Sequence, residues 1–231
     1  TVTLVALRDL TSNVGSSITM GATGILSMSA ANGVIAGTGN LTLNGTISAG
    51  SGSLTLVSGI NGTRPNFTWG TNITAQSVYG AISVTGFQDV TINTNITGNS
   101  NITITSQQNL TVNATRTITT GAAGALTLQS ANALVAGTGS LTLSGTLNVG
   151  SGALTLVSGI NGSRPNLTWS GTNIAALSTM GAISITGFQD ITVAANMTSS
   201  GSITLAVTRN LTVNAGQTVT TGAAGALTLT A

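Results

Sequence analysis

The sequence predicts an all-β fold, a right-handed parallel β-helix (solenoid) of about eleven coils, each of roughly 20 residues. Three observations lead there. A unit of about 100 residues recurs along the 231-residue chain, short apolar-Thr-apolar triads recur every six to eight residues inside it, and aromatic residues make up only 3%. A sandwich or barrel of antiparallel strands calls for longer strands, hairpin turns and normally an aromatic core. Stacked coils need none of these, because each rung pairs with the rungs above and below it.

The long repeat organises the whole chain. TLVSGINGTRPNFTW at Thr55 returns as TLVSGINGSRPNLTW at Thr155, and AGTGNLTLNGTI at Ala36 returns as AGTGSLTLSGTL at Ala136. One extra residue near Ser170 lengthens the shift to about 101, so that GAISVTGFQDVTI at Gly80 reappears as GAISITGFQDITV at Gly181. A third copy opens with SITLAVTRNLTV at Ser202, matching TVTLVALRDLTS at Thr1 and NITITSQQNLTV at Asn101. The chain therefore reads as one continuous solenoid, 1–231, with repeats 1–100, 101–201 and a partial 202–231. Neither end departs from the pattern as a capping coil would. The opening residues follow the repeat rather than a leader pattern, so any signal peptide is expected outside this segment.

Within the repeat, each triad is a strand. Leu41-Thr42-Leu43, Leu54-Thr55-Leu56, Val90-Thr91-Ile92, Ile102-Thr103-Ile104 and Leu110-Thr111-Val112 alternate with a period of two. Alternation sends the aliphatic pair inward and Thr outward. Strands of three to five residues are not stable alone, which again requires stacking. Between triads, Gly, Asn and Ser supply the corners, Gly because corners call for positive φ. The residue just before a triad is usually small and polar: Asp9, Asn40, Asp89, Asn101, Asn109, Ser140, Asp190 and Asn210 are examples. Such residues bond nearby backbone, and stacked amides also bond along the axis.

Composition excludes most chemistry. Charged residues are 3% of the chain, five Arg and three Asp, with no Lys, Glu, His or Cys. That removes the usual zinc, haem and iron–sulfur ligands, His-dependent nucleophile pairs, disulfides and Schiff-base lysines. A formal charge of +2 spread over the chain is no basic patch, so no nucleic-acid partner is expected. Thr, Ser, Asn or Gly interrupts every apolar stretch, so no membrane-spanning helix is expected.

The phrases NLTLNGTI at Asn40 and AGSGSLTL at Ala49 resemble the repeat regions of the filamentous haemagglutinin family, the large exoproteins of two-partner secretion and related adhesins. The resemblance runs over essentially the whole chain. It implies an extended fibre exported to the cell surface, with binding activity held in separate regions.

Four kinds of candidate site remain. Glycoside hydrolysis needs two carboxylates ~5 to 9.5 Å apart. Asp89 and Asp190 share one slot in successive repeats, five coils or ~24 Å apart at ~4.8 Å per coil, and Asp9 is expected four coils from Asp89, so no enzyme is expected. Three isolated Asp do not build a calcium roll, and no metal or cofactor is expected. Asn-x-Thr/Ser sequons abound, mostly because a corner Asn precedes apolar-Thr; Asn44, Asn61, Asn113 and Asn161 fall outside that slot and are the better candidates for glycosylation. The segments NGTRPNFTW and NGSRPNLTW hold Arg64, Trp69, Arg164 and Trp169, candidates for contact with a glycan or a neighbouring fibre. The structural alternative is that each Trp covers the coil interior. Thr-x-Thr pairs at Thr1, Thr103, Thr117 and Thr218 suggest ice binding, but that needs Thr repeated coil after coil on one face, and the pairs alone are not so spaced.

The sequence thus points to a structural segment of an extracellular filament, surface fibre or sheath, self-associating end to end through exposed rungs. A glycan-binding adhesin module is the first alternative, an ice-binding solenoid the second.

Overall fold

The computed structural model describes residues 1–21, 23–30, 40–48, 52–58, 67–69, 80–130, 139–158, 167–169 and 181–231. These residues are all-β, and every strand pairing is parallel. The chain winds as a β-solenoid with three faces.

The first face is a continuous ladder whose leading residues are Val2, Leu26, Leu54, Ile82, Ile102, Leu126, Leu154, Ile183, Ile203 and Leu227, each in register with the next. Successive numbers differ by 24, 28, 28, 20, 24, 28, 29, 20 and 24. Coils are therefore longer and fewer than the eleven expected: nine steps span the 225 residues from Val2 to Leu227, an average of 25. One long repeat holds four coils, whose lengths are 24, 28, 28 and 20, where five were expected. Triad spacing gave the short estimate because it takes no account of corners that widen in some coils.

The second face stacks Leu10, Leu41, Phe67, Val90, Leu110, Leu141, Leu167, Ile191 and Leu211. The third consists of shorter strands, Ser17–Thr19 on Thr46–Ser48, then Ile96–Thr97, Thr117–Thr119 and Thr146–Asn148, then Met197–Thr198 on Val219–Thr220.

Alternation decides what fills the lumen. Leu26, Met28, Leu41, Leu43, Leu54, Leu56 and their described counterparts through Leu205 are buried, those of the end rungs such as Val2 and Leu227 are partly exposed, and the Thr between them lies on the outside. In the first of the two shortest coils, Gly86 adopts φ 85° beside a register break against Ile102–Ser106, and Gly187 repeats that φ in the other. Only glycine enters that region without strain. The extra residue turns Phe87 and Phe188 inward, and both are fully buried. Neighbouring rungs carry Ser there: Ser106 pairs with Phe87, and Ser106, Ser130 and Ser158 are buried. Phe67 packs on Phe87 with ring centres 5.1 Å apart and on Trp69 at 5.8 Å.

At the corner from third to first face, glycines stack on glycines. Gly80 N–H donates to Gly52 O at 2.8 Å, and Gly181 N–H to Gly152 O at 3.0 Å. A Cβ built on Gly152 would lie 2.1 Å from Gly124 O. The backbones approach too closely for any side chain.

Candidate functional site

The outer surface carries two arrangements of polar side chains, an axial ladder at the corner between first and second faces and a rank of hydroxyls on the first face.

The corner ladder grows from the small polar residue that precedes each triad of the second face. Asn40 N–H donates to Asp9 Oδ1 at 2.8 Å. Asn109 donates to Asp89 Oδ1 from its backbone N–H at 3.1 Å and from Nδ2 at 2.7 Å. Ser140 in turn donates to Asn109 Oδ1 from N–H and Oγ, both at 3.1 Å. Asn210 repeats the pattern on Asp190, at 3.2 Å from N–H and 2.9 Å from Nδ2. Each side-chain oxygen thus takes a backbone N–H of the next coil, which accounts for the amide-or-carboxylate preference of the slot. The third face has its own version, with Thr117 N–H on Asn95 Oδ1 and Thr218 N–H on Asn196 Oδ1, both 2.9 Å.

Among the described residues the corner carries two ion pairs, a loose, exposed one between Arg8 and Asp9 at 4.0 Å and a tight one between Arg209 and Asp190. Arg209 grips Asp190 through two parallel bonds, Nε to Oδ1 at 2.9 Å and Nη2 to Oδ2. The guanidinium bond holds the Asp190 carboxyl below its ordinary range, partly opposed by desolvation, with the Asn210 amide adding to the lowering. Arg209 is raised by the same bond.

Carboxylates do not converge. Asp9 precedes Leu10, Asp89 precedes Val90 and Asp190 precedes Ile191, which places them three and four coils apart. At ~4.8 Å per coil the separations are about 14 and 19 Å. The expected four and five coils are each one too many, but neither distance brings two carboxylates to one glycosidic bond. Among the described residues no three His, Cys, Asp or Glu gather as a metal site. No described helix is long and apolar enough to cross a membrane.

Trp69 lies in the lumen, fully buried, its Nε1 without a hydrogen-bond partner. It offers no surface to a glycan or a neighbouring fibre. Trp169 continues the strand Leu167–Trp169 in register with Leu143, and Arg64 and Arg164 lie outside the described residues. Asn44 is half-buried, its backbone N–H donating to Ser12 O at 2.9 Å. Asn113 is half-buried too, and its Nδ2 donates to Asn93 Oδ1. Asn61 and Asn161 lie outside the described residues.

The sequence reading missed the hydroxyl rank. The second position of each first-face strand is Thr3, Ser27, Thr55, Ser83, Thr103, Thr127, Thr155, Ser184, Thr204 and Thr228, one per rung. All are partly or fully exposed. Two rungs below Thr103 the same rank is held by Thr155, a sequence separation of 52 that no local motif search links. Only register does. The second face also carries Thr at the middle of every described rung, Thr11 through Thr212, but it is flanked by the Asp/Asn ladder. The described charges lie off the first face: Arg8, Asp9, Asp89, Asp190 and Arg209 at the corner to the second, and Arg116 in the turn towards the third.

Comparison of the chain with protein-family models, curated proteins and solved structures finds no match.

Proposed function

We propose that this chain is a rigid structural segment of an extracellular filament, surface fibre or sheath, of the kind the haemagglutinin-like phrases suggest. The reading rests on one observation, the unbroken parallel register of ten first-face rungs. A parallel ladder transmits load from coil to coil through backbone bonds, and here the corner side chains add bonds in the same direction. The same geometry lets the structure lengthen without new design. A further rung adds to the exposed apolar edge of the first or last one, where Val2, Leu227 and Leu229 are each more than a third exposed. It comes from the same chain or from a second copy. Trp69, the one of the four glycan-contact candidates whose side chain is described, is buried in the lumen, which favours glycans as a modification of such a surface over glycans as its ligand.

The experiment is a concentration series by analytical ultracentrifugation with electron microscopy of the same samples. Rods that lengthen end to end with concentration are the expected result. A chain that stays a single short rod up to millimolar concentration overturns the assembly part of the proposal, and a compact spheroid overturns the whole. Intact mass of protein secreted from a glycosylating host, set against the unmodified chain, reports sequon occupancy.

A further inference from the structure

We propose that the first face is an ice-binding surface. The inference is independent of filament assembly, because a single chain carries the whole face.

The face runs for ten rungs, about 43 Å at ~4.8 Å per rung. Its middle rank is Thr or Ser at every rung, and from Leu26 to Leu205 the alternate residues that hold it outward are buried in the lumen. The rank beside it, two residues along each strand and therefore roughly 7 Å away, holds only small or uncharged residues, from Val5 and Ser29 through Thr85 to Thr230, of which Thr105 is buried and the rest are partly or fully exposed. The rank before the strand is of the same kind, mainly Ala and Ser. Hydroxyls and methyls thus form a two-dimensional array, and its spacings are of the order of the oxygen rows in ice. Thr suits this use because its β-branched side chain has few rotamers, so little freedom is lost when water orders against it.

The face's chemistry argues against other occupants. A charged polymer finds no charge there, since the described Asp and Arg lie at the corners. Sugar rings are normally held against aromatic side chains, and the three ranks contain none. A second copy laid face to face would cover roughly 600 Å² a side at these spacings, mostly hydroxyl and methyl, against about 800 Å² in a standard stable interface. An ordered water lattice needs neither charge nor aromatic rings. Each contact is weak, but a growing crystal meets all ten rungs together, and the protein has already fixed their positions.

The test is thermal hysteresis and crystal shaping by the purified chain, with Thr127→Lys plus Thr155→Lys in the middle of the first face and Thr142→Lys on the second. Circular dichroism and thermal melting establish that each variant is folded, and Thr127→Val, which keeps the shape and drops the hydroxyl, serves if the lysines unfold it. The wild-type chain is expected to facet ice and hold a freezing gap. The first-face variant should lose about half of that gap or more at equal concentration, while Thr142→Lys keeps it. Unfaceted ice in the presence of folded wild-type protein overturns the proposal, as does an equal loss in both lysine variants.

Discussion

Thr115 stands at φ 65°, whereas its counterparts in the neighbouring repeats are Gly15 at 81° and Gly216 at 77°. All three occupy the third position of a turn closed by a bond from residue i+3 to residue i, as in Arg116 N–H to Asn113 O at 3.2 Å. A β-branched residue there costs on the order of 1–2 kcal/mol, and part of the gain from glycine is returned as unfolded-state entropy. Thr115→Gly is therefore expected to stabilise the fold by about 0.5–1 kcal/mol, read as a higher Tm; a lower Tm contradicts it. Trp69 is the opposite case. Its side chain fills the lumen against Phe67, so Trp69→Ala is expected to cost about 3–5 kcal/mol in denaturant melts. A variant as stable as the parent would mean the indole is not packed inside. Ser106 and Ser130 carry buried hydroxyls without partners, a local cost accepted where Phe87 and Phe188 take the space in other coils.

Elements show why composition is so narrow. The glycine corner stacks backbone on backbone, and a Cβ on Gly152 would meet Gly124 O at 2.1 Å. Gly21 has nothing within 4 Å of such a Cβ and no positive φ. Gly152→Ala is therefore expected to destabilise by about 2 kcal/mol or more, while Gly21→Ala is neutral or stabilising by up to about 1 kcal/mol. Paired urea titrations decide it, and equal effects would refute the close-approach account. Asn109 shows the same economy at the other corner: one side chain donates to the coil before it and accepts from the coil after it.

At the scale of the molecule, the few titratable groups set the response to pH. Asp190 has a folded-state pKa lowered chiefly by Arg209. A depressed carboxyl contributes stability that is present above its unfolded pKa, about 3.9, and is lost as pH falls through the folded value. Stability is thus expected to be nearly level from pH 5 to 9 and to decline only below about pH 4. In Asp190→Asn that acid decline should be smaller. Melting curves across the range check it, and a steep change near neutrality would contradict it.

Fold class, repeat and inward-outward alternation were legible in the sequence because each is local: a triad such as Leu141-Thr142-Leu143 states its own faces. The corner slot was legible too, as a preference for Asp, Asn or Ser and as axial bonding between stacked side chains, though the backbone N–H of the next coil that each side-chain oxygen accepts was not. Coil length was not legible, since corners of different lengths separate similar triads and only pairing shows which lie above one another. Trp69 could be read as surface or lumen from its neighbours Arg64 and Asn66; backbone direction placed it inside. The hydroxyl rank escaped for the same reason, as Thr55, Ser83 and Thr103 belong to one line only once coils of unequal length are wound into register. Alternation is a property of adjacent residues, and a rank is a property of residues brought together by closure of whole coils. Tertiary structure alone supplies the second.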